Sequence, residues 1–224
     1  MSSDASIIIA IDGPAASGKG TLARRIARQF GLAHLDTGKL YRATALGVLA
    51  AGGDPANAAD AEKAARSIDF SRLDDERLQQ EDVARAASVV AAIPAVRAAL
   101  LEAQRRFAHH PPPPAKGAVL DGRDIGTVVC PDANVKLFVT GSAESRAERR
   151  AKELRQDDAV AIYEAVLQDM RERDARDGER RVAPLSVAPD AVTIDTTQLD
   201  ADQVFERASN LIARLCAPVG ANRR

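Results

Sequence analysis

The sequence predicts an α/β fold in which a parallel sheet is covered by helices on both faces. Three observations carry this expectation. Short apolar runs at residues 7–11, 118–120, 135–139 and 191–194 alternate with longer helical patterns along the chain, the order expected of repeated β-α-β units. The first run leads through a glycine-containing loop directly into an amphipathic segment. The 224 residues are enough for one good core with smaller appendages.

Taken in order, residues 7–11 (Ile-Ile-Ile-Ala-Ile) read as a buried parallel strand. A helix follows from Lys19 to Phe30, with Leu22, Ile26 and Phe30 on one face. Residues 33–36 form a second short strand. A helix opens at Thr37, read as its N-cap, and stops at Gly52-Gly53-Asp54-Pro55. An alanine-rich helix spans 57–67. Two more cover 79–93 and 95–109, separated at Pro94, which suits the first turn of the second. Four consecutive prolines, 111–114, make a stiff connector. Strands are expected at 118–121, 135–139 and 191–195. Residues 142–178 are helical and rich in arginine, a last helix runs over 200–216, and the tail after Pro218 is expected to be disordered.

Composition narrows the function classes. Lysine plus arginine (31) nearly balance aspartate plus glutamate (32), so no nucleic-acid or membrane-surface partner is expected. The apolar runs are far too short to span a membrane, and residues 1–11 lack the features of a signal peptide. A cytoplasmic location is the expectation. Cys130 and Cys216 fit no redox or metal spacing and read as small hydrophobic residues. His34, His109 and His110 provide no plausible ligand set for a metal cage.

The chemistry begins at Gly13-Pro14-Ala15-Ala16-Ser17-Gly18-Lys19-Gly20-Thr21. A strand, then Gly-x4-Gly-Lys, then a helix is the phosphate-binding loop: its amides turn inward around a polyphosphate and the helix adds its positive end. Lys19 reaches the β- and γ-phosphates. Gly20 stands where a hydroxyl residue usually follows the lysine, and the hydroxyl comes one place later, at Thr21. Small nucleoside-monophosphate kinases have that Gly-Lys-Gly-Thr form. The arginines at 146, 149, 150, 155, 171, 173, 176, 180 and 181 are either a solvated face or the cations that meet phosphate.

Four further stretches complete a pattern. They are Leu35-Asp36-Thr37-Gly38-x-x-Tyr41-Arg42, Ala87-Ser88 through Pro94-x-Val96-Arg97, Asp121-Gly122-Arg123-Asp124-Ile125-Gly126-Thr127, and Arg173-Asp174-x-Arg176-Asp177-x-x-Arg180. With a closing Asp195-Thr196-Thr197, the chain resembles the bacterial cytidylate kinases from about residue 7 to 216. The resemblance implies a P-loop kinase fold, α/β with a five-stranded parallel sheet and a core at about 6–42, 94–149 and 183–217. A nucleoside-monophosphate-binding insertion would cover about 43–93 and a helical lid about 150–182.

It also implies roles. Thr37, Tyr41, Ser88, Arg97, Arg123 and Asp124 would line the cytosine pocket or its edge. Arg42, Arg173, Asp177 and Arg180 would hold the monophosphate or sugar, and Arg149 and Arg150 would close over ATP. Lys19, Arg42, Arg173 and Arg180 would carry catalysis. Asp121, with Thr21 nearby, would hold Mg2+ through water. The partners implied are ATP, CMP and dCMP, bound by a monomer working in pyrimidine nucleotide metabolism.

Residue chemistry agrees with a cytosine reader. The base presents an amino donor beside two acceptors, so Asp124 can accept while Arg97 and Ser88 donate. The alternative for Arg123-Asp124 is an ordinary ion pair between the two neighbours. Tyr41 is expected to pack in the core with its hydroxyl bonded. The acceptor phosphate is largely dianionic above its second pKa of about 6, so no general base is required. One departure stands out. Residues 68–78 are short and polar, so the small antiparallel sheet usual in the insertion is expected to be trimmed or absent. Two rival readings stay open here: another small P-loop kinase (UMP, AMP, gluconate or shikimate-type), or a non-catalytic ATP-binding regulator, which would leave the acceptor-side arginines without purpose.

Overall fold

The computed structural model describes residues 6–154 and 159–216. Among these, five strands form one parallel sheet: β1 (Ile7–Asp12), β2 (Ala33–Asp36), β3 (Gly117–Gly122), β4 (Val135–Thr140) and β5 (Val192–Asp195), in the order β2-β3-β1-β4-β5. The central strand β1 pairs Ile9 with Val135 of β4, and Asp12 with Gly122 of β3. Alternate side chains of β1 enter different cores, as the two-residue strand period requires. Ile8 and Ala10 join one cluster, Ile9 and Ile11 the other. Both faces are therefore dry, and the run is apolar throughout rather than alternating.

Helices α1 (Lys19–Phe30) and α8 (Ala201–Leu215) cover the face of Ile9 and Ile11. The other face is covered by α2 (Thr37–Ala50), α3 (Ala58–Arg66), α4 (Glu81–Val90) and α5 (Pro94–His109). Two further helices, α6 (Ala143–Leu154) and α7 (Ala159–Glu179), carry the arginine-rich stretch. Caps agree with the side chains that supply them. Asn57 accepts from the amides of Ala59 and Asp60 at the start of α3, and Asp200 forms a capping box with Gln203 on α8. Among the described residues no single helix is long and apolar enough to cross a membrane.

The expected elements are present, with two adjustments, one at the helix before Pro94 and one at the cap of α2. The helix expected at 79–93 is shorter: a 3-10 turn at Glu76–Gln79 precedes α4, which ends at Val90. Pro94 holds Ile93 in extended backbone (φ −81°, ψ 118°) and so opens α5 as a separate helix. Thr37 is not the cap of α2. Asp36 occupies that place, and the Thr37 hydroxyl instead donates 2.8 Å to the carbonyl of Asp121 on β3. Residues 68–78 hold 3-10 turns at Phe70–Arg72 and Glu76–Gln79 and no strand, as their composition suggested. The tail at 218–224, and Arg155 within the arginine-rich run, lie outside the described residues.

Leu120, on β3, is fully buried. Leu120→Ala removes its contacts and leaves a cavity, so it should lower unfolding free energy by about 2–5 kcal/mol, read as a shifted urea midpoint with an unchanged slope.

Candidate active site

The carboxyl ends of the strands carry the site, as in other open parallel sheets. The loop between β1 and α1 leaves no room for side chains where it turns: a Cβ on Gly13 would stand 2.0 Å from the Val139 carbonyl oxygen. Gly18 (φ 86°) precedes α1, and Ala16 (φ 55°) adopts the left-handed region without being glycine, the kind of strain that binding loops retain. Lys19 is half-buried, and its amine donates 3.2 Å to the Pro14 carbonyl. Desolvation, then the nearby Arg123, push its pKa down to about 7, against the pull of Asp121, Asp36 and Asp177.

Across a cleft of about 740 Å³ lies the second half of the site. Arg97 and Asp124 are both buried and pair directly, and the Arg97 guanidinium sits over the Tyr41 ring. The Tyr41 hydroxyl meets Gln104. Arg180 stands 3.6 Å from Asp124 and 3.7 Å from Asp177, and its Nε donates to the Ala183 carbonyl. Arg123 donates 2.7 Å to Asp177, not to its neighbour Asp124, so the simple ion pair between adjacent residues is not formed. Burial alone would raise the Asp177 carboxyl, but Arg123, Arg180 and Arg173 outweigh it and hold it below its ordinary value. Arg173 is pushed down to about 10, first by burial and then by Arg123. Arg42 donates to the Leu78 carbonyl (2.8 Å), and the Ser88 hydroxyl accepts from Arg176 (2.7 Å).

Of the residues given a site role from the sequence, all border this one cleft except Gly13 and Pro14, which form the base of the loop. Of the other arginines in the charged run, Arg146, Arg171, Arg176 and Arg181 do not line it. The lid arginines divide. Arg149 donates to the Thr196 hydroxyl (2.9 Å) and carbonyl, beside Asp195-Thr196-Thr197, whereas Arg150 reaches Glu81 on α4 and Glu153 on its own helix. Asp121 is buried, with one oxygen 2.7 Å from His34 Nε2. Its other oxygen lies 3.6 Å from where a Cβ on residue 20 would stand, so glycine there keeps the space beside the carboxylate open. Thr21 is exposed, and its hydroxyl accepts 3.2 Å from Arg24.

Three residues escaped sequence reasoning. Asp12 is buried and accepts from the amides of Ile125 and Gly126. An acid ending an apolar strand was a usable signal, the same one that drew attention to Asp121. Arg146, also buried, donates to the carbonyls of Ala15 and Gly141 and pairs with Asp174, tying the loop to α7. Nothing distinguishes it in sequence from the arginines around it. The His34–Asp121 contact likewise depends on a pairing between β2 and β3 that sequence does not specify. Beneath α6 and α7 a small apolar cluster, Ala147, Leu167 and Met170, packs with Tyr163, Val166 and Ala16 of the loop.

Among the described residues, four buried side-chain atoms lack a hydrogen-bond partner, and three border the cleft: Ser17 Oγ, Arg173 Nε and Arg180 Nη2. Buried polar groups are normally paired; Arg180 Nη2 still has the Asp124 carboxylate at 3.6 Å, which leaves Ser17 Oγ and Arg173 Nε as the unpaired groups beside the cleft. Electrostatics give a direct test. At pH 8 the Lys19 amine, with its pKa near 7, is mostly neutral in the free protein. A bound polyphosphate raises that pKa, so binding of ATP at pH 8 should take up a proton. Calorimetry in buffers of different ionisation enthalpy should show the uptake in the parent protein and its loss in Lys19→Met.

Comparison with known proteins identifies the family. The cytidylate kinase family profile matches residues 9–214. A cytidylate kinase of Rhodospirillum rubrum is 62% identical over 171 residues, covering 76% of this chain and 80% of the relative. One from Paramagnetospirillum magneticum is 60% identical over 207 residues, covering 92% and 98%. At the level of fold alone, an uncharacterized protein from Eubacterium ventriosum superimposes with a TM-score of 0.51 at 14% identity, over 95% of this chain and all of that one. The chain belongs to the cytidylate kinase family.

Proposed function

We propose that the protein transfers the γ-phosphoryl group of ATP to CMP or dCMP, giving ADP and CDP or dCDP, and that it works as a monomer in the cytoplasm. One observation carries the residue assignment: a single cleft joins a phosphate-binding loop to a buried carboxylate–arginine set, with the unpartnered Nε of Arg173 beside it. Residues of about 43–93 form the acceptor-binding insertion, and those of about 150–182 the lid.

In this reading Lys19 and the amides of residues 13–21 hold the donor phosphates. Arg42, Arg173 and Arg180 hold the acceptor phosphate and spread the charge of transfer, while Asp177 steers the sugar. Thr37, Tyr41, Ser88, Arg97 and Arg123 shape the base pocket around Asp124. Arg149 and Arg150 close over the nucleotide triphosphate. The acceptor is already an anion, so the work is positioning in line and neutralising charge rather than removing a proton. Mg2+ would supply further charge neutralisation, and the residues that would hold it are Asp121 and Thr21, which border the same cleft.

Two measurements test this. In a coupled ADP-release assay over CMP, dCMP, UMP, AMP and GMP, the cytosine nucleotides should be preferred. Asp124→Asn trades an acceptor oxygen for a donor amide, so CMP turnover should weaken and UMP gain. Sites built on buried hydrogen bonds discriminate strongly, and the CMP/UMP ratio of kcat/KM should drop by at least about tenfold. A parallel fall for both would make Asp124 only an ion-pair partner of its arginines.

The free Nε of Arg173 bears on catalysis itself. Arg173→Ala should lower kcat by about 10²-fold, the scale of a single charge-stabilising group. A change of only a few-fold would remove Arg173 from the groups that stabilise the transferring phosphate.

A further inference from the structure

Asp12 is a charged residue in an expensive position. It is 4% exposed, and burial raises its pKa to about 6 despite two bonds from backbone amides. Its two oxygens take different donors: Oδ1 accepts 2.8 Å from Ile125 N–H, Oδ2 accepts 2.7 Å from Gly126 N–H. Those amides open the π-helical turn Ile125–Val129, where N–H groups lack partners within the helix. From the far side of the turn, the amides of Val128 (2.9 Å) and Val129 (3.1 Å) donate to the carbonyl of Asp124. Asp124 itself has irregular backbone (φ −144°, ψ 27°), so its position depends on being held from both sides.

Two glycines complete the arrangement. A Cβ on Gly126 would stand 3.4 Å from the Asp12 carboxylate and 3.2 Å from the Lys136 stem, so the close approach needs the missing side chain. Gly13, next along the chain, is seated against Val139, which fixes the backbone from which Asp12 projects. Asp12 does not itself border the cleft. It reaches the site only through the residues it holds.

We propose that Asp12 is a positioning residue for the acceptor pocket: its carboxylate clamps the turn after Asp124, and so sets where the Asp124–Arg97 pair stands relative to the phosphate loop. The inference rests on the reading of Asp124 as the residue that meets the base. A neutral amide at residue 12 can accept from one of the two amides but must oppose the other with its own N–H. Alanine accepts from neither.

The test is a steady-state double-mutant cycle on the full chain, using Asp12→Asn, Asp12→Ala, Asp124→Asn and the Asp12→Asn/Asp124→Asn double variant, with CMP, UMP and ATP varied in turn. Losing one such hydrogen bond is worth a few-fold to about tenfold in an equilibrium. Asp12→Asn should therefore raise the CMP KM by about fivefold, with kcat and the ATP KM changing by less than about twofold, and Asp12→Ala should go further in the same direction. The increase should largely vanish when Asp124 is already asparagine, since two residues acting through one contact are not additive. Additive effects, or a rise in the ATP KM without one for CMP, would overturn the proposal and make Asp12 a support of the phosphate loop. If neither Asp12 variant folds, Gly126→Ala crowds the same carboxylate without removing it and carries the same expectation for CMP KM. The base-reading assignment is judged separately, by whether Asp124→Asn alone alters the CMP/UMP ratio. Its failure would leave the coupling between residues 12 and 124 intact as a measured result.

Discussion

Guanidinium groups crowd together here around a few shared carboxylates. Arg97, Arg146 and Arg180 are buried, and Arg123 and Arg173 are half-buried beside them. Asp124 is shared between Arg97 and Arg180, Asp177 between Arg123 and Arg180, and Asp174 serves Arg146. Arg173 keeps one nitrogen without a partner, and the Lys19 amine finds only a carbonyl. Charges taken out of water are costly unless paired. Lys19 and Arg173 are the two cations whose pKa values are pushed furthest down, each first by burial and then by Arg123. A polyanion in the cleft would oppose both causes, since it would stand beside the two cations that burial has made least stable as charges.

That tension is tolerable because the rest of the fold is conventional and dry. Two apolar clusters enclose the central strands, and no charged residue of β1 or β3 appears until their carboxyl ends. There Asp12 and Asp121 emerge on adjacent strands, with Asp36 at the end of β2. Parallel pairing aligns the three ends at one edge. The topology thereby brings three residues far apart in sequence to one edge of the sheet, where Asp36 and Asp121 border the cleft and Asp12 stands behind it.

Much of this was legible beforehand, and the reason differs by level. Elements announced themselves because Gly, Pro and Asn act locally: Pro94 separates α4 from α5 and Asn57 caps α3 whatever surrounds them. The phosphate loop was legible because its backbone demands particular residues at fixed spacing. Pairings were not. Arg123 chose Asp177, 54 positions away, over its neighbour, and the Thr37 hydroxyl turned to a β3 carbonyl instead of capping its own helix. Local rules describe what a side chain can do next to itself. They carry no information about which strand the sheet will set beside it, and Arg146 shows the limit, one arginine among many until the fold buries it against Ala15 and Asp174.

Ala16 deserves a second reading in that light. It belongs to the loop between β1 and α1, holds a left-handed backbone, and also packs in the small cluster beneath α6 and α7. Its methyl group makes the loop a bearing surface as well as a cradle. The backbone of the β1–α1 loop and the apolar contact of α7 therefore meet at one residue, so enlarging that methyl group would press on both at once.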